Sequence, residues 1–332
     1  MHSARHSGII RLFFLAAIIG VTIVASLVFP AARNSLFNFS FSAIANQRVT
    51  QSEELSGIIF VFFKIGICVI YSLIIRFIVE RLNKKTFGFI LSIIVSILYI
   101  SSSWTGNGGI SRWGLLTSGL ASFVVLIKEY PTKKKTLSIT WGVAFLIIIL
   151  VSSITKLFIH HGVTGSDALI EIFSEQYINS YFQGIYLVSA GKAAMDFSVD
   201  KIGLVTFLDD TISAYPLINH LFYQSGNCTE LYFCNYIFRN DQILPTVAQG
   251  YAYFGIICSP FFSIILTMIA FRCDAALRRT KNIYETVALA QIVTWTSLFM
   301  AVNVYIIQRT TMYYVILMLI LWIDKHAKFG DV

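Results

Sequence analysis

Three arginines that border long apolar runs have the side chains best suited to binding a phosphate. They are Arg112, Arg239 and Arg309. A guanidinium donates paired hydrogen bonds to phosphate oxygens and keeps its charge at physiological pH. Three such groups at one membrane border would suit the pyrophosphate of a lipid carrier, provided that the fold brings them together.

A glycine-rich stretch containing Gly108 and Gly109 leads into Arg112 and the apolar run that follows it. Backbone amides and an arginine at the beginning of a helix form an anion-binding site. An arginine that ends a span by extending its charge to the membrane surface would look the same in the sequence. Both interpretations of Arg112 stay open at this point.

A second group of residues lies where a long polar and aromatic stretch meets the next apolar run. Arg239 and Asp241 come at its end, Pro245 closes it, and Gly250 and Tyr251 open the apolar run. A glycine allows the backbone or a ligand to approach closely. The alternative is ordinary membrane re-entry, in which a polar loop is followed by a proline, small residues and a helix.

Two further cations lie close to the predicted bilayer. Arg309 is predicted in a tight outer turn, 308–311, between two spans, whereas Lys64 lies in the middle of a span. Charges at this depth usually face protein or a water-filled cavity and often have a function. For Lys64, pairing with an acid or with carbonyl groups elsewhere in the protein is an equally good interpretation.

The composition excludes an ordinary water-soluble protein. Of 332 residues, 56% are hydrophobic and 13% are charged, whereas soluble domains carry about 25% charged residues. The net charge of +8 is explained by clusters between apolar runs, so we expect no nucleic-acid partner. We also expect no metal and no cofactor, because no Walker A, H-E-x-x-H or C-x-x-C motif is present.

These runs predict an all-α polytopic integral membrane protein with about eight transmembrane helices and one large extracytoplasmic loop. Residues 1–159 would form five spans, 160–245 the loop with amphipathic helices, and 246–332 three spans and a cytoplasmic tail. The predicted spans are 9–29, 56–79, 87–103, 113–128, 137–159, 246–271, 286–304 and 310–323. The first span is expected to be uncleaved, since no A-x-A site follows it.

The positive residues predict the orientation. With the N-terminus in the cytoplasm, sixteen of the 25 Lys and Arg residues lie in cytoplasmic segments and eight in extracytoplasmic ones. Both termini are then cytoplasmic and the 160–245 loop is outside. A loop of this length is usually functional. The apolar spacing of segments such as 167–190 favours helices lying on the membrane surface. Cys228 and Cys234 could form a disulfide or stay reduced.

A family resemblance joins these features. The Gly-Gly-Ile-Ser-Arg-Trp stretch at 108–113 and the segment 244–255 resemble bacterial O-antigen and capsule repeat-unit polymerases of the Wzy type. Arg239 and Gly250, with ten residues between them, match an Arg-x10-Gly pattern of that family's periplasmic loops. The resemblance covers roughly residues 100–320. Family members usually have more spans, so we expect either a short member or a chain that lacks its beginning.

The resemblance implies a metal-independent glycosyltransferase in the bacterial inner membrane. It would transfer a glycan from undecaprenyl pyrophosphate onto a lipid-linked repeat unit, with a chain-length regulator as a protein partner. Arg239 and Arg112 would stabilise the leaving pyrophosphate and Asp241 would accept a proton. The expected substrate-binding residues are Arg309, Gly250, Tyr251, Gly108 and Gly109.

Several alternatives stay open at the level of the sequence. Asp209 and Asp210 are further candidates for the proton acceptor. An O-antigen ligase would use the same donor, and His220 in the loop would favour it. A transporter or flippase of polysaccharide precursors would be expected to show internal repeats, and none is found. A structural or regulatory membrane subunit is a third class.

Overall fold

Nearly all regular structure in the described part of the chain is helical. The computed structural model describes residues 3–29, 32, 57–82, 86–102, 105–106, 109–110, 112–160, 170, 188–196, 203–215, 236, 244–300 and 302–326. Across these ranges, the exceptions are a 3-10 turn, Pro131–Lys133, and two strands of two residues each. The strands, β1 (Thr105–Gly106) and β2 (Gly109–Ile110), pair antiparallel. The all-α prediction is confirmed for these residues.

The helices follow the apolar runs of the sequence. They are α1 Ser3–Val28, α2 Gly57–Arg81, α3 Thr86–Ser102, α4 Arg112–Glu129, α5 Lys134–His160, α6 Leu204–Ser213, α7 Thr246–Cys258, α8 Phe261–Arg279, α9 Ile283–Ser297 and α10 Val304–His326. Helices α1 to α5 coincide with the five apolar runs of the N-terminal part. Helix α6 and the helical segment 188–196 belong to the stretch predicted as the large loop.

Two described helices are long and apolar enough to cross a membrane. They are the Ile59–Arg81 part of α2 and the Val304–Ile323 part of α10. Helices α7 and α8 add a third if the bent pair is one span, and Phe13–Val28 and Thr86–Ser102 are apolar but shorter. This supports a helical membrane protein. The number of eight crossings stays a prediction.

Helix α3 has the surface pattern expected in lipid. Phe87 and Ile97 are 67% and 51% exposed, whereas Ser92 and Ser96 are fully buried. A helix of a water-soluble protein turns its apolar face inward. Lipid is as apolar as these side chains, so a membrane helix can keep them outside and pack small polar residues against its neighbours.

The chain forms two compact units. The first comprises Met1–Trp141, Cys273–Thr294 and Met312–Val332, and the second comprises Gly142–Arg272 and Trp295–Thr311.

The interior of the first unit is joined by polar contacts. Tyr71 Oη and Ser96 Oγ share a hydrogen bond of 3.0 Å, and the Tyr71 ring stacks on Tyr99 at 4.2 Å. Gln291 Nε2 donates to Tyr99 Oη at 3.0 Å and to Ser118 Oγ at 3.3 Å. These bonds connect α2, α3, α4 and α9, as is common between helices in lipid.

Lys64 is engaged by a carbonyl group and by an aromatic ring. Its Nζ donates to the backbone oxygen of Ser102 at 3.3 Å and lies 5.4 Å from the centre of the Phe60 ring. Ser102 is the last residue of α3, where backbone carbonyls lack helical partners. Of the two interpretations of Lys64, these contacts agree with pairing to carbonyl groups.

The predicted sixth span, 246–271, is not one straight helix. Helices α7 and α8 meet at 109°. Gly255 has φ of 75° and interrupts the helical conformation, and Pro260 lies between the two helices. Hydropathy detects only that the run is apolar, whereas a glycine at positive φ followed by a proline allows the sharp bend. We call residues 255–260 the elbow.

The predicted seventh and eighth spans, 286–304 and 310–323, are also wrong in their boundaries. Helix α9 ends at Ser297 and α10 already begins at Val304. The two threonines of the predicted turn at 308–311 fit inside the helix with their hydroxyls bonded to the preceding turn. Thr310 Oγ1 and Thr311 Oγ1 each donate at 2.6 Å to the carbonyl four residues earlier.

Candidate functional site

Three buried polar side chains in the second unit form a connected group. Tyr253 Oη donates to Oδ2 of Asp210 at 2.5 Å. Gln249 Nε2 donates to Tyr253 Oη at 2.6 Å and lies 3.5 Å from Asp210 Oδ2. Asp210 is 2% exposed and Gln249 is fully buried. We call Asp210, Gln249 and Tyr253 the polar cluster.

Helical spacing and apolar packing hold the polar cluster. Gln249 and Tyr253 are four residues apart on α7, which puts them on one face of that helix. Phe207 lies one turn before Asp210 on α6. The centre of its ring is 5.4 Å from the ring centre of Tyr253 and 5.8 Å from that of Phe262. A carboxylate in such surroundings is costly unless donors reach it, and Tyr253 and Gln249 supply them.

Helix α6 presents its polar side to the protein. Asp210 and Thr206 are buried, at 2% and 4% exposure, whereas Leu204, Val205 and Leu208 are 62%, 73% and 48% exposed. This distribution fits a helix whose apolar face meets lipid rather than water. The sequence predicted amphipathic helices within 160–245, and α6 is one of them.

The beginning of α10 is held by side chains from α7. Gln249 Oε1 accepts a hydrogen bond of 2.8 Å from the Val304 amide, and Thr246 Oγ1 donates at 2.8 Å to the carbonyl of Val302. Asn303 caps the same helix, with Oδ1 accepting from the Ile306 amide at 2.8 Å. The first amides of a helix have no helical partner. Here α7 and the cap supply acceptors for two of them.

Gly250 packs against the elbow. A Cβ atom at this position would lie 2.2 Å from the carbonyl oxygen of Ser259. A glycine here therefore lets the chain after Gly255 return to α7 without strain. The close approach predicted at Gly250 is an approach of backbone to backbone, and its expected role in binding a substrate stays a prediction.

Tyr251 belongs to a second, exposed group. Its Oη donates a short hydrogen bond to Oδ1 of Asp196, and Lys192 Nζ lies 2.6 Å from Oδ2 of the same carboxylate. Lys192 Nζ also lies 5.3 Å from the centre of the Tyr251 ring. The hydrogen bond from Lys192, aided by that from Tyr251, lowers the pKa of Asp196, and the hydrogen bond to Asp196 raises the pKa of Lys192.

Arg309 lies inside α10 and not in the turn predicted at 308–311. It is half-buried, and its Nη1 donates to Tyr305 Oη at 3.2 Å. The two residues are four apart and share a face of the helix. Arg309 comes five residues after Val304, whose amide donates to Gln249. Along the helix axis the two residues are about 7.5 Å apart.

The other predicted site residues divide between described and undescribed parts of the chain. Arg112 is the first residue of α4 and Gly109 lies in β2, paired with Gly106. Arg239, Asp241 and Gly108 lie outside the described residues. The convergence of the three arginines stays a prediction. Among the described residues, no three His, Cys, Asp or Glu side chains are grouped for a metal ion.

Thr246, Gln249 and Asn303 were not singled out in the sequence. The sequence does contain a pattern that points to them. Thr246 and Gln249 open an apolar helix on one face, and Asn303 comes directly before α10. Polar residues at such positions need partners in lipid. What the sequence lacks is the pairing, since residues 246 and 302 are far apart in the chain.

Comparisons of the chain with protein-family models, curated proteins and solved structures gave no match. The chemical character of the site follows from its own side chains. A carboxylate, a phenol and a carboxamide are buried together, and the carboxamide also holds the helix that carries Arg309. Such an arrangement can fix a cation for binding an anionic ligand, because a half-buried guanidinium interacts more strongly than one in bulk water.

Proposed function

We propose that this chain is a glycosyltransferase of the bacterial cytoplasmic membrane that polymerises lipid-linked oligosaccharide repeat units at its outer face. The product would be an O-antigen or capsular polysaccharide, and the donor an undecaprenyl-pyrophosphate-linked glycan. The main support is Arg309, which is half-buried in a helix whose first turn is anchored by Gln249 and Thr246. The apolar exposed faces of α3 and α6 support a membrane location.

The proposal includes the topology predicted from the sequence. Eight crossings would leave both termini in the cytoplasm and residues 160–245 outside. The acidic and aromatic side chains of that region would then face the compartment in which the repeat units are joined. Helix α6, with its apolar side exposed, would lie at the outer membrane surface.

In the proposed reaction, a hydroxyl oxygen at the nonreducing end of the acceptor repeat unit bonds to the anomeric carbon of the donor glycan. The bond from that carbon to undecaprenyl pyrophosphate breaks, and the pyrophosphate keeps the electron pair. Negative charge therefore develops on the leaving group. Arg239 and Arg112 would stabilise this charge and Arg309 would bind the pyrophosphate.

A carboxylate must take the proton of the attacking hydroxyl. Asp241 is our first candidate, and the half-buried Asp209 on α6 is the alternative. Asp210 is a weaker candidate than the sequence suggested, since it is 2% exposed and its Oδ2 accepts from Tyr253 and Gln249. Its contacts favour a role in holding α6 against α7.

The test is the banding pattern of surface glycan on a gel. The gene is deleted in its host and restored as wild type, Arg309→Ala, Arg239→Ala or, as a control, Arg278→Ala. Arg278 is a good control because it is exposed on α8 and pairs with Asp274 on the same helix at 2.7 Å. Membrane levels of each variant are matched by immunoblot.

We expect a ladder with wild type and with Arg278→Ala, and a single-repeat band with the deletion and with the other two variants. Complete loss of attached glycan in the deletion would instead indicate a ligase. A ladder that survives the deletion would refute both reactions and favour a transporter or a subunit.

A further inference from the structure

The beginning of α10 is fixed by three side-chain hydrogen bonds within residues 302–306, two of them buried and one part-buried. Thr246 bonds the Val302 carbonyl, Gln249 bonds the Val304 amide, and Asn303 bonds the Ile306 amide. Thr246, Gln249 and Asn303 are all fully buried. In such surroundings water does not compete for these bonds, and a group that lost its partner would be left unsatisfied.

An anchor at the start of a helix controls the position of residues a turn or two later. An α-helix is stiff over this distance, so a shift or rotation of Val304 is transmitted to Arg309. Arg309 has one further contact on the same helix, from its Nη1 to Tyr305 Oη at 3.2 Å. The guanidinium is thus placed by α10, and the start of α10 is placed by α7.

We propose that Thr246 and Gln249 are positioning residues for Arg309. The inference rests on the proposed function, in which Arg309 binds the donor pyrophosphate. A group that binds the donor equally in the ground state and the transition state lowers KM, so displacing it raises KM more than it lowers kcat. Loss of either anchor should therefore weaken binding of the lipid pyrophosphate while the protein stays folded.

Thr246 offers the sharper test of the two. Valine has nearly the same shape as threonine but no hydroxyl, so Thr246→Val removes the bond to Val302 and leaves that carbonyl without this donor. Thr246→Ser keeps the hydroxyl and serves as the matched control. Gln249→Met is a less selective variant, because Gln249 also donates to Tyr253.

The experiment uses the full chain in lipid nanodiscs. The varied donor is a lipid-linked repeat unit, and the acceptor is a soluble repeat-unit oligosaccharide without pyrophosphate, which cannot act as a donor, at a fixed saturating concentration. We expect Thr246→Val to raise the donor KM about tenfold with a smaller change in kcat, and Thr246→Ser to stay within about twofold of wild type. In an Arg309→Lys background, Thr246→Val should have less than about a twofold further effect, because its target is already altered.

Two outcomes would overturn the positioning role. One is an unchanged donor KM in Thr246→Val, and the other is an equal loss in the wild-type and Arg309→Lys backgrounds. A wild-type protein that forms no polymer would refute the proposed function instead. In that case, binding of undecaprenyl pyrophosphate to wild type, Thr246→Val, Arg309→Lys and the double variant decides the inference. Weaker binding by Thr246→Val only when Arg309 is present supports it, and any other pattern refutes it.

Discussion

Replacing Gly250 by alanine tests the return of the chain at the elbow. The new Cβ would lie 2.2 Å from the carbonyl oxygen of Ser259, 3.1 Å from its carbonyl carbon and 3.3 Å from its Cα. An ordinary carbon–oxygen contact is about 3.3 Å, so α7 and the elbow would have to separate by roughly 1 Å. Ser259 meets the new Cβ with backbone atoms, which cannot move away by changing rotamer. We therefore expect a strain energy of about 3 kcal/mol, the upper end of the usual range for overpacking.

Alanine also gains helix propensity, about 0.5–1 kcal/mol over glycine. The net loss at Gly250 should be about 2–2.5 kcal/mol. An unfolding entropy of about 2.1 cal/mol/K per residue over the 332 residues converts this loss to a decrease in the unfolding temperature of about 3 °C. Gly142 is the control, because a Cβ there meets nothing within 4 Å. We therefore expect Gly142→Ala to unfold at or slightly above the wild-type temperature.

The assay is thermal unfolding in one detergent, followed by intrinsic fluorescence at a fixed heating rate. The same preparations are compared by size-exclusion chromatography so that aggregation is not mistaken for unfolding. If Gly250→Ala proved as stable as Gly142→Ala, the close contact with Ser259 would not exist. The bend between α7 and α8 would then need another explanation.

Two other substitutions test packing and hydrogen bonding. Tyr253→Phe should cost about 1–3 kcal/mol, because the buried carboxylate of Asp210 loses a donor; an unfolding temperature equal to wild type would contradict this bond. Gly66→Ala should destabilise α1 against α2, since its Cβ would lie 1.6 Å from Thr22 Oγ1. Crosslinking between cysteines introduced into α1 and α2 measures that contact, and an unchanged yield would refute it.

Helix positions were predictable because apolar length is a direct property of the sequence. Helices α1 to α5 coincide with their predicted runs. The elbow was not predictable in the same way, because 246–271 is apolar throughout and Gly255 tolerates either a helical or a left-handed conformation. Mean hydropathy does not distinguish these two conformations. Which of them Gly255 adopts depends on the contact between Gly250 and Ser259.

At the candidate site, too, the sequence alone was not enough to predict the structure. A polar stretch at 308–311 resembles a turn in the sequence. In the structure the helix continues through it, and the hydroxyls of Thr310 and Thr311 donate to carbonyls four residues earlier. The polar cluster unites α6 with α7, whose residues lie about forty positions apart. A sequence indicates that Asp210 and Gln249 need partners. It does not indicate which residues those partners are.

The anchoring of α10 by α7 has a consequence for biosynthesis. A chain is made from its N-terminus, and the partners of Thr246 and Gln249 lie 56 and 55 residues later. Until residues 302–304 arrive, the Thr246 hydroxyl and the Gln249 carbonyl oxygen lack these partners, at a cost of about 1–3 kcal/mol each if they are buried. A nascent or truncated chain is thus open to membrane chaperones and proteases at this helix. Synthesis of residues 302–304 supplies the partners of both side chains and fixes the beginning of α10 at the same time.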